Sequence, residues 1–405
     1  MNRNRDTHRY LPPWLLLMGA VCALTPLSVD MYLPAFSAIS QEFGTRRGEM
    51  ELTLALFLAG LALGQLIYGP LSDRYGRKPP LYAGLVLYIL ATAGCALATD
   101  ISQLLLWRFL AAVGGSAGFV ISFAVVRDRS GDQDTARGLS ALVLARGLAP
   151  ILGPVIGGAL LLVTSWLGIF WLLALAGAIC LLATMRWMRE TVRTQDVVRA
   201  TPGHVVRVYL SLFRHRQYLR YTLCYGLATS GMFAYIAGSP HVLIDLYGLT
   251  PQQYSWAFGL NAAGMIATAQ FNSRLLKRIA TTVLLKRGLR LLLLTITVLL
   301  LAALTRTLSL PLLLAGLFLF VGSLGAIAPN AAGMALSDQA TRAGSASALM
   351  GSLQFFIGTL AGVAVGILEP GGALSMLGVM SVCAVAAFGL CHTGTNYWTG
   401  SQESS

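Results

Sequence analysis

Twelve long apolar stretches, each near the length that a helix needs to cross a lipid bilayer, dominate this sequence. A hydrocarbon core about 30 Å thick requires roughly 20 apolar residues in an α-helix. Of the 405 residues, 56% are hydrophobic and only 11% are charged, whereas a soluble domain carries about a quarter charged residues. Since so few polar groups cannot cover a surface that faces water, we predict an all-α membrane protein with twelve transmembrane helices. The stretches are 12–38, 50–71, 80–99, 102–126, 137–162, 167–188, 221–246, 253–274, 283–305, 311–336, 344–368 and 372–392.

The positive charges are distributed unevenly between the connections. Of the 29 Lys and Arg residues, 24 lie in alternate connections, three lie in the opposite ones, and Arg108 and Arg146 fall inside apolar stretches. Cytoplasmic loops carry the excess of Lys and Arg, so we expect both termini to be cytoplasmic. The net charge of +13 therefore reflects orientation in a membrane, and we expect no nucleic-acid partner. The six cysteines follow no metal-binding or disulfide pattern, so we expect no metal site.

The longest connection divides the chain into two sets of six helices. We predict an N-terminal bundle over 1–188, a cytoplasmic basic linker over 189–220 and a C-terminal bundle over 221–405. The basic stretch Arg207–Arg220 could form an amphipathic helix on the anionic inner leaflet. Two halves joined in this way suggest structural repeats around a central cavity.

Asp30 is the one acidic residue that lies well inside an apolar stretch, between Pro26 and Pro34. Placing an Asp at the centre of a membrane helix costs about 2.5–3.5 kcal/mol, so it needs a partner or a hydrated cavity. Isolated acids in the membrane usually mark ion pathways, and we expect Asp30 to exchange a proton. The alternative is a carboxylate that only ties helices together.

Two arginines lie in the membrane with Asp30. Arg108 lies ~9 Å and Asp30 ~12 Å from the outer end of their helices, so we expect an ion pair or a shared water, unless Arg108 snorkels to the surface. Arg146 lies ~15 Å deep, where snorkelling is difficult. We therefore expect Arg146 to face the cavity, where it could hold a substrate dipole or repel cations.

The connection between the second and third stretches reads Gly69-Pro-Leu-Ser-Asp-Arg-Tyr-Gly-Arg-Lys78. A short charged turn of this kind suits a tight cytoplasmic hairpin, and its ion pairs could also break and re-form between two states. In the fifth stretch, Gly153 and Gly157 permit close helix packing, and Pro154 predicts a bend. The gating candidates in these two segments are Gly69, Asp73, Arg74, Gly76, Arg77, Gly153, Pro154 and Gly157.

Aromatic and amide residues of the apolar stretches are candidates for an amphipathic cavity wall. Ordinary helix packing is the alternative for each of them. The candidates are Tyr32, Phe123, Phe233, Tyr235, Asn261, Gln354 and Phe355.

Several motifs resemble those of the major facilitator superfamily. The Gly69–Lys78 hairpin resembles its signature loop, Leu106–Gly115 its fourth-helix arginine motif, and Ala149–Gly158 the fifth-helix motif of its drug antiporters. Five further segments are similar to the bicyclomycin resistance and chloramphenicol exporter branch. These are Asp30–Pro34, Val126–Asp128, Gly231–Pro240, Asn272–Arg274 and Ala343–Ala348.

The resemblance implies the major facilitator fold, two six-helix bundles around a central cavity, and drug–proton antiport across the bacterial inner membrane. It implies that Asp30 is the proton site and that Asp73 and Arg127 join a cytoplasmic gate that favours the outward-open state. Arg108 is a further candidate for proton coupling, and Asp128 is a further gating candidate. It also places four residues near the substrate, namely Phe123, Arg146, Phe233 and Ile236.

Two positions depart from the resemblance. Some multidrug relatives carry a second acid about two turns before the first-helix aspartate, where this chain has Cys22, and Arg146 replaces a residue that is usually uncharged. Both differences favour neutral or zwitterionic substrates, such as phenicols or bicyclomycin, over cations.

We therefore expect a monomeric, proton-coupled drug exporter whose partners are a small-molecule drug, protons and the lipid bilayer. The proton gradient serves as the coupling ion and no cofactor is needed. No nucleophile–base pair, metal spacing or phosphate loop suggests an enzyme. The alternative is an exporter of a metabolite, such as an amino acid or a sugar, in which drug export is incidental.

Overall fold

The computed structural model describes residues 12–45, 48–129, 132–191, 202–339, 342–368 and 372–392. Every regular element in these ranges is helical, and the predicted all-α class is confirmed. The helices are α1 (Pro13–Asp30), α2 (Phe36–Phe43), α3 (Glu49–Tyr75), α4 (Lys78–Ala96), α5 (Ile101–Arg129), α6 (Asp132–Leu160), α7 (Leu167–Trp187), α8 (Pro202–Phe213), α9 (Arg216–Pro240), α10 (Pro251–Leu275), α11 (Thr281–Leu304), α12 (Leu310–Leu336), α13 (Ala343–Leu368) and α14 (Ala373–His392).

Each of the twelve predicted segments coincides with helical structure. Within the described ranges, eleven spans are long and apolar enough to cross a membrane, and α10 is not among them. Five amide residues lower its mean hydropathy, namely Gln252, Gln253, Asn261, Gln270 and Asn272. Two of them bond to neighbouring helices: Asn261 donates to Tyr235 of α9, and Asn272 pairs with Asn330 of α12. These polar side chains of α10 face neighbouring helices, where membrane proteins place such groups.

The first membrane segment is interrupted rather than continuous. Helix α1 ends at Asp30, a single 3₁₀ turn follows at Leu33–Ala35, and α2 continues to Phe43. Pro34 has no N–H to bond to the carbonyl of Asp30, so a regular helix cannot pass this point. The predicted membrane segment over 12–38 is therefore present, but it is interrupted near its end, directly after the buried acid.

Glycines allow the closest contacts between helices. A Cβ atom at Gly157 of α6 would lie 1.9 Å from the carbonyl oxygen of Met31, just after α1. A Cβ at Gly325 of α12 would lie 2.1 Å from the carbonyl oxygen of Met265 in α10. These backbones touch because the side chain is missing, as expected for small residues at membrane helix interfaces.

The first set of helices (α1–α7, in which α1 and α2 form one span) and the second set (α9–α14) contact each other along α3–α13 and α6–α10. In the first contact, Ser352 Oγ donates to the carbonyl of Ala62 at 2.8 Å. Near the start of α10, Gln252 donates to the carbonyl of Gly158 at 3.1 Å. The start of α10 lies on the side of the molecule where the π-helical turn His241–Leu246 follows α9, and we call this side the Asp245 end. The opposite side, where Arg77 lies between α3 and α4, is the Arg77 end.

The helix in the linker ends earlier than the one predicted over the basic stretch Arg207–Arg220. Helix α8 ends at Phe213, and α9 begins at Arg216 after His215, whose Nδ1 accepts the backbone N–H of Tyr218 at 3.2 Å. Leu212 of α8 is fully buried against Tyr218 and Ala346. Part of the apolar face of α8 therefore packs on α9 and α13, so that face is not wholly directed at a lipid surface.

We predict that Gly157→Ala lowers thermal stability in detergent, because the added methyl group would overlap the backbone of Met31. The expected loss is about 1–3 kcal/mol, as for overpacking elsewhere. Thermal unfolding followed by size-exclusion chromatography measures it.

Gly378→Ala in α14 is the matched control, since a Cβ there would meet nothing within 4 Å. Alanine favours a helix more than glycine does, so this variant should be as stable as the parent or slightly more so. Equal stability of all three proteins would contradict the proposed contact.

Candidate functional site

A cavity of about 320 Å³ lies between the two sets of helices. Its wall comes from α1, α3, α5 and α6 on one side and from α9, α10, α12 and α13 on the other. Among the residues that line it, Asp30 and Arg146 are the charged ones. The cavity is otherwise aromatic and aliphatic with a few amides and hydroxyls, as is typical of small-molecule sites.

Asp30 is the last residue of α1 and is only 3% exposed. Gly153 of α6 makes room for it, because a Cβ at that glycine would lie 2.9 Å from the Cβ of Asp30. Tyr235 and Tyr254 lie near enough to interact with the Asp30 carboxyl group electrostatically. No ion pair or hydrogen bond engages this carboxyl group within the described ranges, so a proton or a cavity ligand is the partner available to it.

Arg108 is buried behind the end of α1, outside the cavity. Its guanidinium lies between two rings, 3.9 Å from the centroid of Tyr32 and 4.1 Å from that of Phe57. Its Nη1 donates to the carbonyl of Ser28 at 2.8 Å, which is one of the carbonyls that the end of α1 leaves without a helical partner. The expected ion pair between Arg108 and Asp30 is absent from the described structure, because the guanidinium stacks on the rings and holds the backbone of the last turn of α1.

Arg146 is half-buried and faces the cavity, where its guanidinium lies 4.5 Å from the ring centroid of Phe119. It acts electrostatically on the Cys22 thiol and on Tyr225. In the described part of the chain it forms no ion pair. The guanidinium of Arg146 therefore lies within electrostatic range of Cys22, which is itself fully buried.

The two cavity charges lie at different depths. Arg146 precedes Gly153, the neighbour of Asp30, by two turns of α6, which corresponds to ~10 Å along the helix. Arg146 and Asp30 form no ion pair in the described structure, so each can take its own part of a ligand.

The second set of helices contributes an aromatic wall. The ring of Tyr235 stacks on Phe258 with centroids 5.6 Å apart, and the Tyr235 hydroxyl accepts from Asn261 Nδ2 at 2.9 Å. The rings of Phe233 and Phe355 lie 5.7 Å apart. Aromatic pairs in these geometries present flat apolar surfaces of fixed shape.

Eight of the ten residues predicted to bind substrate line this cavity, although their roles in binding stay predictions. They are Asp30, Arg146, Phe233, Tyr235, Ile236, Asn261, Gln354 and Phe355. Tyr32 and Phe123 do not line it, which corrects the expected wall. Tyr32 is fully buried and bonds to Thr53 at 2.8 Å, while Phe123 packs one turn beyond Phe119.

Phe119, Tyr225 and Phe258 also line the cavity and were not among the residues predicted to do so. Phe119 and Phe123 are four residues apart and share one face of α5, so the motif could not decide which of them reaches the cavity. Tyr225 lies one turn before Thr229, which also lines the wall. Because Tyr225, Thr229 and Phe233 recur at helical spacing on one face of α9, the position of Phe233 could have predicted that Tyr225 lines the cavity.

At the Arg77 end, Arg77 connects several elements of the first set of helices. Its Nη1 donates to Asp73 at 2.7 Å and to Ser72 at 2.9 Å, and its Nε donates to Asp128 at 2.8 Å. Burial alone would lower the pKa of Arg77, but the hydrogen bonds to Asp128 and Asp73 raise this pKa above the usual arginine value. The charged guanidinium therefore ties the end of α3 to the end of α5.

Glu190, which follows α7, binds the start of α4 in the same network. Its Oε1 accepts the backbone N–H of Arg77 at 2.9 Å, and its Oε2 accepts that of Lys78 at 3.0 Å. An acid at a helix N-terminus satisfies N–H groups that lack helical partners. Gly76 has φ +84°, a backbone conformation that favours glycine, and a Cβ there would lie 2.8 Å from Glu190 Oε2, which would have to move.

The remaining gating candidates have different surroundings. Arg127 lies against the start of α13, its Nη1 being 3.6 Å from where a Cβ on Gly344 would be. Arg74 is exposed, with its guanidinium 5.2 Å from the Tyr75 ring centroid, and Gly69 has open space around it. Asp73 pairs with Arg77 of its own set of helices, so Arg127 makes the described contact with the second set.

The family model described as Major Facilitator Superfamily matches residues 18–366 of the chain. The chain belongs to the major facilitator superfamily.

Individual relatives cover nearly the whole chain. An uncharacterized MFS-type transporter, YdgK, of Bacillus subtilis is 34% identical over 92% of this chain and 94% of its own length. A bicyclomycin resistance protein homolog of Haemophilus influenzae is 29% identical over 95% and 96%. A chloramphenicol resistance protein of Pseudomonas aeruginosa is 31% identical over 71% and 68%. The names of the Haemophilus and Pseudomonas relatives agree with the branch that the motifs resemble.

Solved structures of the superfamily share the fold. The crystal structure of a D-xylose-proton symporter matches with a TM-score of 0.74 at 14% identity, covering 94% of this chain and 97% of the symporter. A bacterial homolog of the human lysosomal transporter Spinster, inward-facing and occupied, matches with a TM-score of 0.73 at 16% identity, over 93% and 95%. At these identities the likeness shows the major facilitator fold alone.

We predict that Arg77→Lys lowers the thermal stability of the protein by about 1–3 kcal/mol. A lysine cannot reproduce the forked contacts of the guanidinium with Asp128 and Asp73. Arg74→Lys is the control, because Arg74 is exposed and touches a ring only. Thermal unfolding in detergent distinguishes the two, and equal losses would contradict the central role of Arg77.

Proposed function

We propose that this transporter exports small neutral or zwitterionic drug-like molecules across the bacterial inner membrane in exchange for protons, by alternating access. The supporting observation is the Asp30 carboxyl group, which lies in a cavity between the two sets of helices with no ion pair among the described residues. Buried acids in transporters generally serve proton or ion pathways. The names of the Haemophilus and Pseudomonas relatives support drugs as the cargo.

The proposed exchange requires substrate and proton to compete for Asp30. A substrate that donates a hydrogen bond binds the ionised carboxylate more tightly than the protonated form, because a charged acceptor forms the stronger bond and the protonated form uses one oxygen for its own O–H. Binding from one side of the membrane then displaces the proton, and a proton from the other side displaces the substrate. The excess of Lys and Arg at the Arg77 end supports a cytoplasmic location for that end.

We predict that Asp30→Asn abolishes proton-driven efflux but still binds drug. The amide keeps the size of the carboxyl group but cannot gain or lose the proton. Efflux from inverted vesicles with an imposed proton gradient measures transport, and substrate-dependent proton release from purified protein measures coupling.

Asp338→Asn is the control, since Asp338 is exposed at the end of α12, away from the cavity. It should transport at the parental rate. Proton-driven efflux by Asp30→Asn at that same rate would refute the proposal, and release of an amino acid or sugar in place of drug would identify a metabolite exporter.

We also predict that Arg146→Ala increases export of cationic dyes, because it removes the one positive charge that lines the described cavity. Close like charges without compensation exclude a ligand strongly. Dye accumulation in expressing cells measures the effect, with neutral drug export as the internal reference. An unchanged pattern of dye export would show that Arg146 does not exclude cationic substrates.

A further inference from the structure

The cavity offers hydrogen-bond donors near Arg146 and an acceptor near Asp30. We propose that Arg146 and Gln354 form a subsite for an electron-rich oxygen group, such as a nitro, sulfonyl or carbonyl group, of an uncharged aromatic substrate. A hydroxyl or amide N–H at the other end of the same molecule donates to Asp30. This inference rests on the proposed function and names its substrate class.

The donor end is built from Arg146 and Gln354. A guanidinium carries five N–H donors and no acceptor, and that of Arg146 has no acidic partner in the described structure. The Oε1 atom of Gln354 already accepts the Tyr225 hydroxyl at 2.8 Å. The amide NH₂ of Gln354 is therefore the part that can serve a ligand, and both residues line the cavity.

The aromatic requirement comes from the rings around the donor end. Phe119 lies under the guanidinium, and its centroid is 6.4 Å from that of Phe355 in an edge-to-face arrangement. Phe355 in turn contacts Phe233. A flat ring carrying the oxygen group fits between such surfaces better than a flexible aliphatic chain does.

The acceptor end is Asp30. The two ends are separated by two turns of α6, or ~10 Å, which is the span of a small drug. A molecule of that length places its donor on the carboxylate while its oxygen group reaches Arg146.

The charge of the substrate follows from the coupling. A substrate donor and a proton compete for one carboxylate, so an uncharged molecule can be exchanged for a proton. An anionic substrate would repel ionised Asp30 and would bind together with the proton, which is the opposite of exchange. A cationic substrate would be repelled by the positive charge of Arg146.

The test is equilibrium binding to the purified full-length protein in detergent at pH 8. The probes are chloramphenicol, its analogue with methylsulfonyl in place of the nitro group, and its analogue with hydrogen there. We expect the nitro and sulfonyl compounds to bind about tenfold more tightly than the hydrogen analogue, the usual effect of a hydrogen bond to a charged group.

Two variants should remove this preference by different routes. Arg146→Ala deletes the guanidinium, and Gln354→Glu keeps it but replaces the amide N–H donors of the subsite with a carboxylate oxygen of the same size. In both we expect the three dissociation constants to agree within about twofold. Arg129→Ala is the matched control, since it removes a guanidinium that stacks on Trp14 outside the cavity, and it should keep the preference.

Equal binding of the three probes to the parent protein, or an undiminished preference in Arg146→Ala, would overturn the subsite. Asp30→Asn separates the two proposals, because it should retain the preference while losing proton release. A preference without any proton exchange in the parent protein would refute the proposed function alone, and exchange without a preference would refute the subsite alone.

Discussion

The close contact between α1 and α6 determines the position of every charged group in the cavity. Gly153 and Gly157 remove the side chains that would otherwise hold the end of α1 away. The break before Pro34 ends α1 at that contact, so the carboxyl group of Asp30 lies at the helix terminus. A bulkier residue at either glycine would move the acid relative to Arg146, and the spacing between the two charges would change with it.

The first set of helices uses its two membrane arginines in different ways. Arg108 lies between Tyr32 and Phe57 and holds the backbone of the last turn of α1 through Ser28. Arg146 keeps its donors directed at the cavity. The first arginine therefore positions the helix that carries the acid, while the second is available to a ligand. A charge without a partner is costly in a membrane, and the rings of Tyr32 and Phe57 stabilise the charge of Arg108.

Much of this arrangement could be predicted from the sequence, because membrane crossing imposes length and polarity rules on each segment. The twelve helices, the buried Asp30 and the cavity position of Arg146 all followed from apolar runs interrupted by single charges. The helix break at Asp30 did not, although Pro34 was visible. The partners of Arg108 did not follow either, because depth along a helix leaves rotation about its axis open.

Rotation and long-range pairing account for the other differences. Phe119 and Phe123 differ by one turn, and only the packing of α5 shows which ring lines the cavity. Glu190 lies 113 residues from Arg77 along the chain, so no local pattern could indicate that it caps α4. Features that depend on one helix alone could be predicted from the sequence. Contacts between helices that are distant along the chain could be seen only in the structure.

The second set of helices contributes no charged side chain to the described cavity wall. Where its helices meet through polar groups, as Asn272 and Asn330 do, the groups are amides that cannot ionise. An electric field across the bilayer, worth about 2.3 kcal/mol per elementary charge at 100 mV, therefore acts on the cavity through the first set alone. With Asp30 ionised, that set carries balanced cavity charges; with Asp30 neutral, it carries the uncompensated charge of Arg146. The membrane voltage therefore acts differently on the two protonation states of the cavity. The resulting force falls only on the part of the cavity wall that the first set of helices forms.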